Sequence, residues 1–115
     1  MKQYIDNFLD EENIRKLNEL LDKYNVSKAV LFGSYARGSQ SRHSDIDLMI
    51  VQKTERRYLD RYEGIFSQLM NIFKGHAVDL LIYTPEELEK ILHRKFIQKI
   101  LEEGITIYEQ RTTAL

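Results

Sequence analysis

Residues 33–51 read GSYARGSQSRHSDIDLMIV, a glycine–serine turn followed by two aspartates and an apolar run. Residues 28–32 before this stretch are rich in apolar residues and predict a strand that Gly33 ends. Residues 34–44 lack a periodic apolar face, so they predict a short helical turn and then a loop. A second strand is predicted over residues 45–51. The two aspartates therefore lie at the start of a strand that follows a polar loop.

The aspartate pair, Asp45 and Asp47, is two residues apart, so both side chains point to the same face of a strand. Their Cα atoms would lie about 6–7 Å apart. Two carboxylates about 4 Å apart repel by roughly 4 kcal/mol at an effective dielectric constant near 20. A bound divalent cation relieves this repulsion, and all-oxygen ligands favour magnesium. The alternative is that Asp45 caps the strand and Asp47 is solvated, which an isolated Asp-x-Asp pattern favours.

A third acid, Asp79, lies within residues 77–83, whose other members predict an apolar strand. An aspartate is disfavoured in such a strand and is costly to bury without a partner. If this strand lies beside the Asp45 strand, three carboxylates could hold two metal ions about 3.5–4 Å apart. The alternative is a single aspartate at a strand end that pairs with a lysine.

The glycine–serine turn is a candidate phosphate site. Gly33 allows close approach of the backbone to a ligand, and free amide groups at a helix start attract phosphate. Ser34 adds a hydroxyl donor, and Arg37 could bind a triphosphate or stabilise developing charge. The alternative is an ordinary turn with an exposed arginine, which a Gly-Ser pair alone favours.

The remaining elements predict an α/β or α+β fold with a mixed sheet and helices packed mainly on one face. Asp10 is a predicted N-cap for a helix over residues 11–24. Apolar spacing predicts one continuous helix over residues 55–74. Thr84, Pro85 and Glu87 form the start signal of another helix, which extends to about Gly104. Residues 105–108 predict a short edge strand.

The composition is that of a globular protein of one domain over residues 1–115, with residues 109–115 as a polar, frayed tail. Apolar residues make up 43% of the 115, and there are no cysteines. Neither a signal peptide nor a membrane-spanning run is found, so we expect a cytoplasmic protein without a membrane partner. The net charge of -1 argues against duplex nucleic acid as a partner.

The stretch at residues 33–51 resembles the GSxARG…SDIDL signature of the minimal nucleotidyltransferases (MNT) of the polymerase-beta superfamily. Residues 78–83 (VDLLIY) and 103–108 (EGITIY) also resemble segments of that family, so the likeness covers most of the chain. It implies a nucleotidyltransferase-like fold in which Gly33 and Ser34 bind the triphosphate. Asp45 and Asp47 would bind the metals, and Asp79 would bind the catalytic metal and help to activate the acceptor hydroxyl. Arg37 lies at the family's arginine position.

The same resemblance implies a function. ATP or another nucleoside triphosphate would be attacked at its α-phosphate, with two Mg²⁺ ions (or Mn²⁺ as a substitute). Family members of this size resemble the antitoxin of toxin–antitoxin pairs, which transfers AMP to a tyrosine of a helical HEPN-type ribonuclease. The alternatives are transfer to a small-molecule hydroxyl, with a second subunit completing the pocket, and a non-catalytic antitoxin that acts by binding alone.

Overall fold

The computed structural model describes residues 10–41 and 44–110, which form a four-stranded mixed sheet. The spatial order of the strands is β3-β2-β1-β4. Strand β1 is antiparallel to β2 and β4, whereas β2 and β3 are parallel. The strands are β1 (Val26–Phe32), β2 (Ile46–Gln52), β3 (Val78–Tyr83) and β4 (Ile105–Glu109). The predicted mixed sheet and its edge strand β4 are confirmed.

Five α-helices and one 3-10 helix connect these strands within the described residues. They are α1 (Glu11–Lys23), α2 (Ser34–Arg37), the 3-10 helix (Tyr58–Tyr62), α3 (Ile65–Ile72), α4 (Pro85–Lys90) and α5 (Lys95–Glu103). The Asp10 side chain accepts a hydrogen bond from the Asn13 amide at 2.8 Å, which confirms the predicted N-cap of α1. Thr84 and Glu87 form the predicted capping box of α4.

Helices cover both faces of the sheet. Side chains alternate between the two faces along each strand, so a strand can contribute apolar residues to both sides. Leu48 and Ile50 pack with α1 and α3 in the larger core, whereas Met49 lies in a smaller core with Ile97 and Ile100 of α5. The larger core agrees with helices packed mainly on one face, but α4 and α5 cover the opposite face. The α+β class is confirmed.

The helix predicted over residues 55–74 is wrong as one continuous element. The 3-10 helix and α3 are separated at Gly64, whose φ is 82°. A Cβ at Gly64 would lie 2.5 Å from the Tyr24 hydroxyl oxygen, so a larger residue there would have a strained backbone and would displace Tyr24. Apolar spacing did not reveal this break. Ile65, Leu69 and Phe73 of the predicted apolar stripe are buried, whereas Leu59, Phe66 and Met70 are exposed.

The helix predicted to run from Pro85 to about Gly104 is also divided. Helix α4 ends at Lys90, and Arg94 has an extended conformation (φ -72°, ψ 134°) before α5 begins. Leu88 and Ile91 contact the same smaller core as α5. The break therefore allows two short helices to bury their apolar residues on one face of the sheet.

The predicted frayed tail begins too early. Glu109 is the last residue of β4, and the Gln110 amide donates to the Ser27 carbonyl at 2.8 Å. Residues 111–115 lie outside the described residues, and one domain over residues 1–115 stays a prediction. No helix in the described part of the chain combines the length and apolar character needed to cross a membrane.

Candidate active site

The site begins where β1 ends and α2 starts. Gly33 has φ 73° and ψ -150° and is the N-cap of α2, so Ser34 is the first helical residue. The Arg37 amide donates to the Gly33 carbonyl at 3.1 Å, and the Ser39 amide donates to the Ser34 carbonyl at 3.0 Å. The predicted strand, glycine and short helical turn are confirmed. The first turn of a helix presents backbone amides outward, which suits an anionic group.

Asp47 and Asp79 are direct neighbours on the parallel strands β2 and β3. Alternation places both side chains on the α5 face of the sheet, since Met49 and Leu81, two residues further along, pack in the smaller core. Gly33 lies on the other side of Asp47, and a Cβ there would collide with the Asp47 carboxylate. Sequence reasoning assigned the space at Gly33 to phosphate, whereas the structure fills it with this carboxylate.

Asp45 lies one residue before β2, which begins at Ile46 rather than at Asp45 as predicted. The Ile46 amide donates to the Ala77 carbonyl at 2.8 Å, so the start of β2 is fixed against the residue before β3. Asp45 is exposed, and its charge contributes to the electrostatics of Asp47. The three predicted acids therefore lie at one end of two adjacent strands.

The pKa of Asp47 is raised from 3.8 to about 6. Burial is the largest cause, followed by the charge of Asp79, a hydrogen bond with Asp79 and the charge of Asp45, while Arg37 opposes the shift. No ion pair joins Asp79 to a lysine among the described residues. The alternative in which Asp79 is a single aspartate that pairs with a lysine is therefore not supported. Asp47 thus lies near the negative charges of Asp79 and Asp45, and the positive charge of Arg37 offsets them only in part.

Arg37 connects the turn to α5. Its guanidinium lies 3.5 Å from the Glu103 carboxylate, and both side chains are partly exposed. Its charge also lowers the pKa of Asp47. Arg37 is therefore close enough to the acids for its charge to act on Asp47, and its role toward phosphate stays a prediction.

A contact between Tyr35 and His76 holds α2 against the residues that precede β3. The Tyr35 hydroxyl and His76 Nδ1 are 3.1 Å apart, and Tyr35 is buried. Sequence patterns do not predict this contact, because the two residues are 41 positions apart in the chain. This contact positions the turn relative to Asp79.

The family model described as "Polymerase beta, Nucleotidyltransferase" matches residues 15–113, which include the turn and all three acids. This chain belongs to the polymerase-beta nucleotidyltransferase family.

Two archaeal relatives match this nucleotidyltransferase over most of their length. MJ1379 of Methanocaldococcus jannaschii, named as a candidate protein adenylyltransferase, is 38% identical over 98 residues, covering 83% of this chain and 90% of MJ1379. MJ0604 of the same organism, with the same kind of name, is 31% identical over 102 residues, covering 86% of this chain and 98% of MJ0604.

Solved structures share the fold of this nucleotidyltransferase at lower identity. A chain in a crystal structure of a toxin–antitoxin complex with AMP-PNP has a TM-score of 0.61 and 24% identity, covering 86% of this chain and 75% of that one. A chain in a structure of a tri-AMPylated Shewanella oneidensis HEPN toxin with MNT antitoxin has a TM-score of 0.55 and 20% identity, covering 87% and 72%.

The donor set fits a divalent cation. Asp47 and Asp79 offer carboxylate oxygens that face each other, and hard cations such as Mg²⁺ take oxygen ligands. Burial is the largest cause of the raised pKa of Asp47, and a bound cation would offset the second cause, the charge of Asp79. No cluster of three or more His, Cys, Asp or Glu side chains is arranged to hold a metal within residues 10–41 and 44–110. The facing carboxylates of Asp47 and Asp79 are therefore the part of the site that fits a cation, and Asp45 lies next to them.

Sequence reasoning missed a cleft between α2 and α5. It has a volume of about 190 Å³ and is lined by Phe32, Gly33, Arg37, Phe96, Lys99, Ile100 and Glu103. No pattern in the sequence connects α5 with the turn, because the two segments lie far apart in the chain. A larger groove of about 780 Å³, which includes Ser27, Lys53 and Leu92, lies at the opposite end of the sheet from the acids.

Proposed function

We propose that this nucleotidyltransferase transfers AMP from ATP to a tyrosine hydroxyl of a helical HEPN-type partner, with Mg²⁺, as the antitoxin of a toxin–antitoxin pair. The observation that carries the proposal is the facing pair of Asp47 and Asp79 beside the Gly33 turn. A phosphate-binding turn next to paired carboxylates is the arrangement that metal-assisted phosphoryl chemistry requires. A cytoplasmic location belongs to the same proposal.

The turn would bind the triphosphate. Outward backbone amides at the start of α2 and the Ser34 hydroxyl donate to phosphate oxygens, and the Arg37 guanidinium adds positive charge nearby. Gly33 serves this site in a second way, because its missing Cβ allows the Asp47 carboxylate to lie against the turn. The phosphates and the metal-binding carboxylates are thereby held together.

The acids would perform two roles. Asp45 and Asp47 hold the cations, and the Asp79 carboxylate binds there too and accepts the proton of the acceptor hydroxyl. Bound Mg²⁺ supplies positive charge that orients the phosphates and stabilises the developing negative charge. The hydroxyl oxygen forms a bond to the α-phosphorus while the bond from that phosphorus to the pyrophosphate oxygen breaks. Pyrophosphate leaves, and the acceptor keeps AMP.

The proposed partner is supported by the relatives. Their names specify protein as the acceptor and adenylyl as the transferred group. Chains with this fold are found in complexes that contain AMP-PNP or an AMPylated HEPN toxin. These complexes support a HEPN-type protein as the kind of partner.

The test is to incubate the purified protein, ATP and MgCl₂ with a HEPN-type protein from its own genome and to measure the intact mass of that partner. We expect a mass increase of one or more AMP groups, mapped to tyrosine by peptide sequencing. Asp22→Asn is a matched control, since Asp22 is an exposed acid of α1 on the opposite face.

Two other outcomes distinguish the alternatives. An unmodified partner that still binds and is silenced would favour an antitoxin that acts by contact alone. An unmodified partner, combined with label transfer from ATP to a small-molecule hydroxyl in an acceptor screen, would favour the small-molecule transferase. Either result would contradict AMP transfer to protein.

A further inference from the structure

We propose that the cleft between α2 and α5 binds the base of the nucleoside triphosphate. Phe96 would provide the stacking surface, and Glu103 would accept a hydrogen bond from an exocyclic amino group of the base. This inference rests on the nucleotide site proposed above, and it extends that site to a base-reading surface on α5.

The cleft is continuous with the triphosphate turn. Gly33 lines the cleft and is also the N-cap of α2. Phe32, another lining residue, pairs with Asp47 across β1 and β2, so the two side chains lie on the same face of the sheet. A nucleotide whose phosphates contact the turn would therefore have the cleft directly beside it.

The size of the cleft suits one part of a nucleotide. Its volume is about 190 Å³, whereas pockets that enclose a whole small ligand measure about 300–1,000 Å³. Its walls are mainly apolar, and the rings of Phe32 and Phe96 meet edge to face with their centroids 6.0 Å apart. Phe96 is 56% exposed, so much of its surface is left for another aromatic group.

The polar groups at the rim of the cleft can distinguish bases. Arg37, Lys99 and Glu103 line it, and the Arg37 guanidinium lies 3.5 Å from the Glu103 carboxylate. A carboxylate only accepts hydrogen bonds, so it favours bases with an exocyclic amino group. Uracil carries carbonyl oxygens instead, and an oxygen beside the carboxylate is repelled. We therefore expect ATP to bind more tightly than UTP.

The stacking role is tested by calorimetric titration of Phe96→Ala with ATP and with inorganic tripolyphosphate, both in the presence of MgCl₂. Base–aromatic stacking predicts about 5- to 150-fold weaker ATP binding with unchanged tripolyphosphate binding. Leu101→Ala is the control, because Leu101 is an exposed residue of α5 outside the cleft. Phe96 is largely exposed, so its removal should leave the fold intact.

The role of Glu103 is tested by the ratio of ATP to UTP affinity. Glu103→Gln should reduce this ratio, and Glu102→Gln, a neighbouring exposed acid, should not. Unchanged ATP binding by Phe96→Ala, or equal losses for ATP and tripolyphosphate, would overturn the base subsite. An unchanged ratio in Glu103→Gln would overturn the base-reading role. A wild-type protein that binds neither ligand would refute the proposed nucleotide site itself.

Discussion

Asp47 is the residue on which both the electrostatics and the packing of the site depend. Its carboxylate faces Asp79, lies against Gly33 and has a pKa of about 6. A folded-state pKa above the ordinary value means that the ionised form is less stable in the folded protein than in the unfolded chain. Without a cation, Asp47 therefore destabilises the fold at neutral pH, which is expected of a residue kept for function.

Asp47→Asn should stabilise the metal-free protein at pH 7 by about 1–2 kcal/mol, a value reduced for partial exposure of the side chain. The variant should also lose the rise in thermal stability that Mg²⁺ and ATP give the wild type. Urea unfolding with and without MgCl₂ measures both effects, with Asp22→Asn as control. A variant that gains as much from Mg²⁺ as the wild type would exclude Asp47 as a metal ligand.

The pH dependence of this difference has a defined sign. Below about pH 3, Asp47 is largely protonated in both the folded and the unfolded state, so the variant and wild type should have similar free energies of unfolding. As the pH rises from about 4 to about 6, the wild type should lose stability relative to Asp47→Asn. Above about pH 7 the difference should be constant. A difference that shrinks over this range would contradict the raised pKa.

Gly33→Ala tests the packing of the turn against Asp47. The added Cβ would collide with the Asp47 carboxylate, and the φ of 73° adds backbone strain. Gly75→Ala is a matched control, because Gly75 has φ 89° but a Cβ added there would meet no heavy atom within 4 Å. Gly75→Ala should lose about 1–2 kcal/mol of stability through backbone strain alone, and Gly33→Ala should lose more, because the collision adds to the strain. Only Gly33→Ala should also lose Mg²⁺-dependent stabilisation, and an equal Mg²⁺ response in both would contradict the packing role.

The acids could be predicted from the sequence because strand alternation and the order of turn, pair and third acid depend on local pattern. Three features could not be predicted from the sequence. They are the close packing of Gly33 on Asp47, the Tyr35–His76 contact and the cleft at Phe96. Each depends on the three-dimensional approach of distant segments, for which a single sequence carries no local signal.

Among the helices and strands, the 3-10 helix that precedes Gly64 holds a buried arginine, Arg61. Arg61 is 5% exposed, and its guanidinium donates to both Glu87 carboxylate oxygens at 2.6 and 3.0 Å. Glu87 also caps α4, so this pair connects the 3-10 helix with the junction of β3 and α4. The sequence predicted that Glu87 caps a helix but not that it pairs with Arg61, because a single continuous helix over residues 55–74 does not predict a buried Arg61.

Glu87→Gln should destabilise the protein by about 1–3 kcal/mol at pH 7, because the buried Arg61 keeps its charge and loses the opposing carboxylate. This is below the value for a fully buried pair, since the Glu87 side chain is 43% exposed. Glutamine can still cap the helix, so the loss isolates the charge. Glu86→Gln, in the same turn, is the control, and equal losses in the two variants would contradict the account.

Acid should remove the difference between Glu87→Gln and the wild type. The pKa of Glu87 is lowered from 4.5 to about 2, mainly by its hydrogen bonds with Arg61. The stabilisation is therefore fully present above about pH 4.5 and is lost as the pH falls toward 2. Chemical denaturation at about pH 7 and about pH 3 measures this change.

In the protein as a whole, the sheet order explains how three separate segments form one site. The antiparallel pairing of β1 and β2 places the Gly33 turn beside Asp47, and the parallel pairing of β2 and β3 places Asp79 on its other side. The mixed sheet was predicted from the element order. The strand neighbours were not, because several sheet orders satisfy the same apolar pattern.

The most direct test of the central claim is the single-turnover rate of AMP transfer to the partner by Asp79→Asn, measured together with the affinity of the variant for that partner. Asp79 is exposed, so its replacement should leave the fold and partner binding nearly intact. If it activates the acceptor hydroxyl, transfer should fall by several orders of magnitude, because the interaction is made in the transition state. A variant that transfers AMP at the wild-type rate would contradict the assignment of this site as catalytic.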